Sequence, residues 1–343
     1  MIESLKIEGY RGFEKLEVEG LRRVNLFVGK NGSGKTALLE AIELVAEGQP
    51  NPLLALDRRG EFHVDLNDPK TCEYEIKHLY NGHRIEPESK FILTTKNDDS
   101  EEVLVEYKIS LSKPTGVFGL SPLEMSMTRY CGSRQQDGHG LQLEKGDCFK
   151  YPRQRIRQCS QFRSHPEIQT SFVATGVCDP IYFQTKWDKM IRANKKTNIV
   201  TALQILDKEI EQVEMIGDGK VVVKRVSVKK LVPIGSLGEG MSRMLDVAVS
   251  LAASPGVLLI DEIDIGFHYS VLEDMWRMIL ATAEKLDVQV FATTHSQDCV
   301  RAFAAVCDNN KVSLHRVEEG REKTIPYSED MIKAAAEHGI EVR

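Results

Sequence analysis

The stretch Gly29-Lys30-Asn31-Gly32-Ser33-Gly34-Lys35-Thr36 has the spacing G-x-x-x-x-G-K-T of a phosphate-binding loop, or P-loop. Residues 24–28 before it indicate a short buried strand, and residues 37–47 after it carry apolar side chains at helical spacing. Glycines let backbone N–H groups turn toward phosphate oxygens, and the start of the helix adds partial positive charge. We therefore predict a strand, a loop and a helix that together hold the phosphates of a nucleotide.

Each position of the loop has an expected role with a nucleotide such as ATP and its Mg²⁺ ion. The Lys35 ammonium is expected to reach the β- and γ-phosphates, and the Thr36 hydroxyl is expected to ligate the metal. The other loop positions are expected to surround the phosphates: Gly29, Asn31, Gly32, Ser33 and Gly34. A flexible glycine- and serine-rich turn is the alternative, but it does not explain the strand and the helix on either side.

The composition limits the classes of protein to which the chain can belong. Its 343 residues can form one large domain or two lobes, and its net charge of -6 argues against a generally basic surface that coats nucleic acid. The seven cysteines, without a C-x-x-C pair, suit reduced thiols in a cytosol. Glu3 and Lys6 interrupt the apolar start, and no apolar run could span a bilayer. We therefore expect a cytoplasmic protein with neither a signal peptide nor a membrane partner.

A second informative stretch lies at residues 257–262. Four apolar residues precede Asp261 and Glu262, as in a buried parallel strand that presents carboxylates at its C-terminal end. In a chain with a P-loop, Asp261 is expected to hold Mg²⁺, and Glu262 is expected to orient and deprotonate an attacking water. The next predicted strand, 288–292, leads to His295, which could sense a γ-phosphate or merely cap the strand.

The rest of the sequence suggests how these stretches are organised within one domain, 1–343. Residues 1–112 are predicted to form a P-loop lobe with an added antiparallel sheet, and residues 113–170 an irregular insertion. Residues 171–230 are predicted to form a short helical arm, and residues 231–343 a lobe that carries the acidic pair and His295.

Two local patterns refine this organisation. Apolar residues recur at helical spacing through 185–215, and Asn194-Lys195-Lys196-Thr197 is expected to divide that stretch into two helices. The apolar stripe is interpreted as core rather than as a partner site. Asn81-Gly82 is a strong signal for a hairpin between two strands.

Two sets of arginines leave alternatives open. Arg11 lies in a glycine-flanked turn before the P-loop strand, where it could contact a nucleotide base or be an ordinary surface residue; the nearby loop favours the first. Arg153, Arg155 and Arg157 alternate, so on a strand they share one face. They could bind nucleic-acid phosphates or an acidic partner, although a solvated face is the more economical interpretation.

The motifs occur in the order and approximate spacing of ABC-type ATPases: 29–36, 236–240, 261–262 and 294–296. The chain resembles the RecF/SMC-like branch of these proteins. Within that branch it resembles the ATPase part of the OLD (overcoming lysogenization defect) family and related stand-alone ATPases. The stretches Gly9-Tyr10-Arg11-Gly12-Phe13 and Ile260 to His268 carry this closer likeness together with the loop.

The resemblance implies an α/β fold, namely a P-loop ABC-type ATPase with a flanking antiparallel β-sheet and a short helical arm. It implies that two subunits, or a higher oligomer, sandwich ATP and Mg²⁺. The signature run (Ser236–Gly240) of one subunit would face the P-loop of the other, because the start of the following helix can hold a phosphate. The implied nucleotide-binding positions of that run are Ser236, Gly238, Glu239 and Gly240.

Three departures limit the resemblance. Leu237 replaces the usual glycine of the signature run, and the usual linking glutamine has only Gln169 and Gln184 as candidates. Too few residues follow His295 for the TOPRIM nuclease of full-length OLD proteins, so a separate chain would supply it. The resemblance favours the ATPase subunit of a prokaryotic anti-phage system with a separate effector, such as a TOPRIM-type nuclease. The alternatives are a RecF-like repair ATPase that binds duplex DNA, and a nucleotide-gated scaffold with slow turnover.

Overall fold

The computed structural model describes residues 1–47, 51–65, 67–68, 70–98, 101–111, 123–137, 141–143, 148–152, 170–175, 180–217, 219–254, 256–307 and 311–338. Arg153, Arg155, Arg157 and Gln169, together with much of the predicted insertion, lie outside these residues, so their roles stay predictions. No helix in the described part of the chain is both long enough and apolar enough to cross a membrane.

Within the described residues the strands are β1 (Ile2–Tyr10), β2 (Phe13–Glu19), β3 (Val24–Val28), β4 (Phe62–Val64), β5 (Thr71–Glu75), β6 (Lys90–Asn97), β7 (Glu102–Leu111), β8 (Leu123–Cys131), β9 (Arg134–Asp137), β10 (Leu141–Gln142), β11 (Cys148–Pro152), β12 (Thr170–Val173), β13 (Ile210–Ile216), β14 (Lys220–Arg225), β15 (Val228–Pro233), β16 (Val257–Ile260), β17 (Gln289–Thr294), β18 (Val312–Arg316) and β19 (Ile325–Tyr327). The helices are α1 (Lys35–Ala46), α2 (Leu53–Arg59), α3 (Pro180–Arg192), α4 (Lys196–Leu203), α5 (Glu239–Ala253), α6 (Leu272–Leu286), α7 (Gln297–Ala305) and α8 (Glu329–His338).

The chain divides into two compact units. Unit 1 comprises Met1–Leu21, Gly32–Ile168 and Val317–Thr324, and unit 2 comprises Arg22–Asn31, Gln169–Arg316 and Ile325–Arg343. The boundary therefore falls inside the predicted P-loop, since β3 belongs to unit 2 and α1 to unit 1.

Unit 1 contains the predicted antiparallel sheet. Strands β10, β8, β7, β6, β1 and β2 pair in that order, and β9 pairs with β8. Their side chains alternate between buried and partly exposed, as in β7, where Val103, Val105, Tyr107 and Ile109 are buried. A smaller sheet, β11-β5-β4, completes the sheets of this unit in the described residues.

The hairpin predicted at Asn81-Gly82 is wrong. These residues lie in a 3₁₀ turn, Asn81–His83, in which Gly82 has a φ of 75°. Strand β5 before the turn pairs with β4 and β11, whereas β6 after it pairs with β1 and β7. Tyr80 forms an isolated bridge to Tyr10, so long-range pairing rather than the turn signal decides the local path.

Unit 2 is built on a six-stranded sheet with the order β12-β16-β17-β3-β18-β19. All its neighbouring strands are parallel except β18 and β19, which are antiparallel. Every residue of β3, β16 and β17 is buried, because strands in the middle of a parallel sheet are covered on both faces. Apolar residues of α5, α6 and α7 belong to the core that packs with this sheet, including Met244, Leu251, Met275, Trp276 and Phe303.

The structure corrects part of the prediction of a helical arm. Helices α3 and α4 are present and separate near Asn194 as expected, and their residues Trp187, Met190, Ile199 and Leu203 are buried in the unit 2 core. The helical prediction for residues 210–215 is wrong, since this stretch is β13 of the antiparallel sheet β13-β14-β15. A register shift near Ile210 adds a residue to the strand repeat, which gives the buried Ile210 and Val213 a helix-like spacing of three.

Candidate active site

The P-loop follows β3, and α1 begins at Lys35. Gly34 is the residue before that helix, and its φ of 93° is in the left-handed region that side chains other than glycine rarely adopt. A Cβ atom placed on Gly34 would lie 2.4 Å from the Cζ atom of Phe13. The position therefore excludes a side chain for two independent reasons, conformation and space.

Ser33 provides an observation that fits a bound phosphate. Ser33 is only 6% exposed. Its buried Oγ atom has no hydrogen-bond partner among the described residues. A buried hydroxyl without a partner is unfavourable unless a ligand or water supplies one. The loop thus offers what a phosphate oxygen requires, although the assignment of residues 29–36 to nucleotide binding stays a prediction.

The predicted catalytic residues meet at one edge of the unit 2 sheet. Ile260 of β16 lies opposite Ala292 of β17, and Thr294 of β17 lies opposite Val28 of β3. Because the three strands are parallel neighbours, the residues that follow their C-terminal ends share an edge. That edge carries Asp261 and Glu262 after β16, His295 after β17, and the first P-loop residues after β3.

Hydrogen bonds hold the acidic pair in a defined geometry. The Thr293 hydroxyl donates to Oδ1 of Asp261 at 2.7 Å, and the Glu262 backbone N–H donates to the same hydroxyl at 2.8 Å. The Asp261 backbone N–H donates to the Val173 carbonyl at 2.9 Å. Glu262 has a φ of 46°, an uncommon conformation for a residue with a long side chain, and such conformations cluster at functional sites.

Glu262 and His295, for which the sequence predicts separate roles, lie close together. The Nε2 atom of His295 is 3.7 Å from Oε1 of Glu262, and the two side chains are 29% and 35% exposed. Water can therefore reach both groups, while Asp261 behind them is only 6% exposed. An accessible carboxylate beside a histidine is suited to accept a proton from an attacking water.

Sequence reasoning did not identify Arg243, which supports the same loop from α5. Its Nη2 donates to the carbonyls of Asp261 at 2.6 Å and Glu262 at 3.3 Å, and its Nη1 donates to the Ala174 carbonyl at 2.6 Å. Burial lowers the pKa of the guanidinium, whereas the neighbouring carboxylates, Asp246 first, raise it. The available signal was a single arginine among the apolar residues of a buried helix.

The signature run lies at the exposed start of α5. Ser236, Gly238 and Glu239 are exposed, and Glu239 begins the 15-residue helix. Leu237, which replaces the usual glycine, packs against the unit 2 core and is only partly buried. A Cβ atom on Gly240 would lie 2.5 Å from the Gly266 carbonyl oxygen, so the helix start packs closely on the loop beyond the acidic pair.

Arg11 is not on the surface of unit 1. It is 4% exposed, its Nε lies 2.7 Å from Oε2 of Glu40, and its Nη1 lies 3.0 Å from Oε2 of Glu61. Arg59 also pairs with Glu40, at 2.9 Å. The guanidinium is thus engaged by two carboxylates, and a contact with a base stays a prediction. The surface interpretation is wrong, and we assign Arg11 to this buried ion-pair cluster.

Replacing Arg11 by methionine is therefore expected to lower the free energy of unfolding by about 2–3 kcal/mol. This loss of stability is somewhat smaller than the loss expected when one partner of an isolated buried ion pair is removed, since Arg59 still neutralises Glu40. Denaturant titration measures the change, and Arg23→Met is a matched control. Arg23 pairs with the 88% exposed Asp287, so that variant should lose less than about 1 kcal/mol. Unchanged stability together with weakened ATP binding would instead support a base contact by Arg11.

Similarities to known proteins agree with this geometry. Residues 1–300 match the family model described as AAA ATPase domain. A Helicobacter pylori protein named ATP/GTP phosphatase is 22% identical over 351 aligned residues, which cover 89% of this chain and 88% of that protein. The DNA replication and repair protein RecF of Acinetobacter baylyi is 46% identical over 48 residues, which are 14% of this chain and 13% of that protein.

Two solved structures of Smc heads share the fold. The SmcHead bound to the C-winged helix domain of ScpA has a TM-score of 0.56 at 14% identity, with 95% of this chain and 98% of that chain covered. The Smc head domain with an extended coiled coil, bound to the C-terminal domain of ScpA from Pyrococcus furiosus, has a TM-score of 0.55 at 12% identity, with 99% of both chains covered. At these identities the likeness concerns the fold alone.

Proposed function

The chain belongs to the AAA ATPase domain family and is an ABC-type ATPase of the RecF/SMC-like kind, and we propose that Asp261 and Glu262 are its metal ligand and its general base. The observation that carries this proposal is the edge of the unit 2 sheet. There, an accessible glutamate lies beside His295 and next to a buried, hydrogen-bonded aspartate. The strand that leads into the P-loop is a neighbour in the same sheet.

The chemistry follows from the residue types. Mg²⁺ at this site would offset negative charge on the β- and γ-phosphates of ATP. Asp261, whose Oδ1 accepts a hydrogen bond from Thr293, would ligate the ion directly or through water. Glu262 would accept the proton of the water whose oxygen attacks the γ-phosphorus, while the bond from that phosphorus to the β–γ bridging oxygen breaks and ADP leaves. The imidazole of His295, which lies beside Glu262, would orient the transferred group.

We further propose that hydrolysis requires two copies of the chain. The support is the signature run at the start of α5, where Ser236, Gly238 and Glu239 are exposed and the N-terminus of the helix can bind a phosphate. In a dimer, this run would contact the phosphates of the ATP that the P-loop of the second copy holds. The protein then forms a homodimer, or a higher oligomer, whose closure depends on ATP.

For the biological role, we propose the ATPase component of an anti-phage defence system that controls a separately encoded effector, such as a nuclease. The resemblance to the OLD family supports this role. A second candidate is direct action on DNA, which the local similarity to the repair protein RecF favours. A third candidate is a scaffold gated by ATP binding, for whose role ATP hydrolysis would be dispensable.

The proposal is tested on Glu262→Gln purified from its own host with ATP and Mg²⁺. Light scattering should show an ATP-dependent dimer, and the additional change Lys35→Ala should abolish it because the phosphate-binding ammonium is lost. Mass spectrometry identifies any stoichiometric companion, and deletion of that companion's gene should remove protection against phage. A monomer with bound ATP would contradict the dimer, and wild-type turnover stimulated by duplex DNA without any companion would favour the repair role.

A further inference from the structure

We propose that Thr293 is a positioning residue for hydrolysis, whose hydroxyl fixes the carboxylate of Asp261 and the backbone of Glu262 relative to each other. The inference rests on the proposed function, which gives these two acids their roles. Thr293 itself is completely buried in β17 and is not placed to touch a substrate. Its effect would therefore pass through the two residues that it binds.

The direction of the hydrogen bonds makes the Thr293 hydroxyl an orienting group. A hydroxyl has one proton and two acceptor sites. The Glu262 N–H donates to it at 2.8 Å, and the hydroxyl proton is then directed to Oδ1 of Asp261 at 2.7 Å. One side chain thereby links the backbone of the proposed base to the carboxylate of the proposed metal ligand.

The backbone of Thr293 holds the same loop at a second point. Its carbonyl oxygen accepts the Ile263 N–H at 2.9 Å, so consecutive amides of Glu262 and Ile263 both donate to Thr293. Glu262, the first of these two residues, has the positive φ of 46°. A residue held in a sparsely populated conformation needs its surroundings to maintain it, and Thr293 supplies two of the bonds that do so.

The next threonine shows that this arrangement is specific to position 293. Thr294 is equally buried, but its hydroxyl donates to Asp264 and accepts the Ser296 N–H at 2.9 Å. It therefore supports residues beyond the acidic pair. The Thr293 hydroxyl, by contrast, bonds directly to the carboxylate of Asp261 and to the backbone N–H of Glu262.

The experiment compares Thr293→Val, which keeps the shape and removes the hydroxyl, with Thr293→Ser, which keeps the hydroxyl. Removing a group that orients a metal ligand typically costs about 10- to 100-fold in activity or metal affinity. We expect Thr293→Val to lower kcat by about that factor and to raise the Mg²⁺ concentration for half-maximal rate. ATP binding in EDTA should not change, and Thr293→Ser should restore kcat to within a few-fold of the wild type.

Thr95→Val is the matched control, because Thr95 is a buried threonine of unit 1 whose hydroxyl has no hydrogen-bond partner among the described residues. It should leave kcat and the Mg²⁺ dependence unchanged. Thermal unfolding confirms that each variant folds, and Thr293→Ala replaces the valine variant if that one does not. Wild-type kcat and Mg²⁺ dependence in folded Thr293→Val would overturn the inference, as would a serine variant as slow as the valine variant.

Asp261→Asn and Glu262→Gln, measured in parallel, separate the inference from the function on which it rests. If both of these lose hydrolysis while Thr293→Val retains it, only the positioning role fails. If both retain hydrolysis, the proposed function of the acidic pair fails, whatever Thr293→Val does.

Discussion

Glu262→Gln is expected to bind ATP with an affinity close to that of the wild type and to hydrolyse it about 10²- to 10⁴-fold more slowly, the range for loss of a general base. Glutamine keeps the size of the side chain and can hydrogen-bond, but it cannot accept the proton of the attacking water. The Glu262 side chain is 35% exposed, so the substitution leaves no buried cavity. Phosphate release measured under saturating ATP gives kcat, and equilibrium binding of a fluorescent ATP analogue gives affinity.

Asp264→Asn is the matched control for Glu262→Gln. Asp264 lies on the same loop, but its carboxylate accepts a hydrogen bond from the Thr294 hydroxyl and has no assigned chemical role. We expect this variant to keep kcat within about one order of magnitude, because an amide oxygen can accept the same bond. Hydrolysis by Glu262→Gln at the wild-type rate would remove the assignment of the base, and equal losses in both variants would indicate general damage to the loop.

The parts of the site that could be predicted from sequence are those whose signal is local. Residues 257–260 could be predicted as a strand, because a strand buried on both faces needs a continuous apolar run. The two carboxylates directly after it have few structural uses, so they are predicted to have a chemical role. The P-loop is similar, since its glycines and its lysine lie within eight consecutive positions. His295 follows from the same logic at the end of β17.

The residues that support the site could not be predicted, because their partners are distant in the sequence. Thr293 bonds to Asp261 only through the register of β16 with β17. Arg243 reaches the loop carbonyls from a helix that precedes the strand. The buried ion-pair cluster of unit 1 was missed for the same reason, since Glu40 and Glu61 lie 29 and 50 positions further along the chain than their partner Arg11.

The error in β13 has a different cause. Apolar residues three apart are typical of a helix, because the buried positions of a regular strand are two apart. A β-bulge inserts one extra residue into a strand and can make that spacing three. Ile210 and Val213 are both buried because the register shifts between them. A pattern search over a short window cannot separate these cases, since the bulge is defined by pairing with β14.

Gly34→Ala is expected to weaken ATP binding by about 30-fold or more, because two costs add at this position. A residue with a Cβ atom in the left-handed region costs about 1–2 kcal/mol, and Gly34 has a φ of 93°. The new methyl group would also lie 2.4 Å from Cζ of Phe13, and crowding of this kind costs about 1–3 kcal/mol. The loop can avoid both costs only by leaving the conformation seen here, and ATP binding measured by calorimetry reports that loss.

A second substitution separates the two costs. Leucine at position 13 lacks Cζ, Cε1 and Cε2, which are the three atoms nearest to the added methyl group, at 2.4, 3.0 and 3.1 Å. The double variant Gly34→Ala/Phe13→Leu should therefore regain about 5- to 150-fold in affinity, the part due to crowding. It should stay weaker than the wild type, since the strain at φ 93° persists. Phe13→Leu alone is the control and should bind ATP nearly as the wild type does. Wild-type affinity in Gly34→Ala would show that ATP binding does not require this loop conformation, and no recovery in the double variant would exclude the ring as the obstacle.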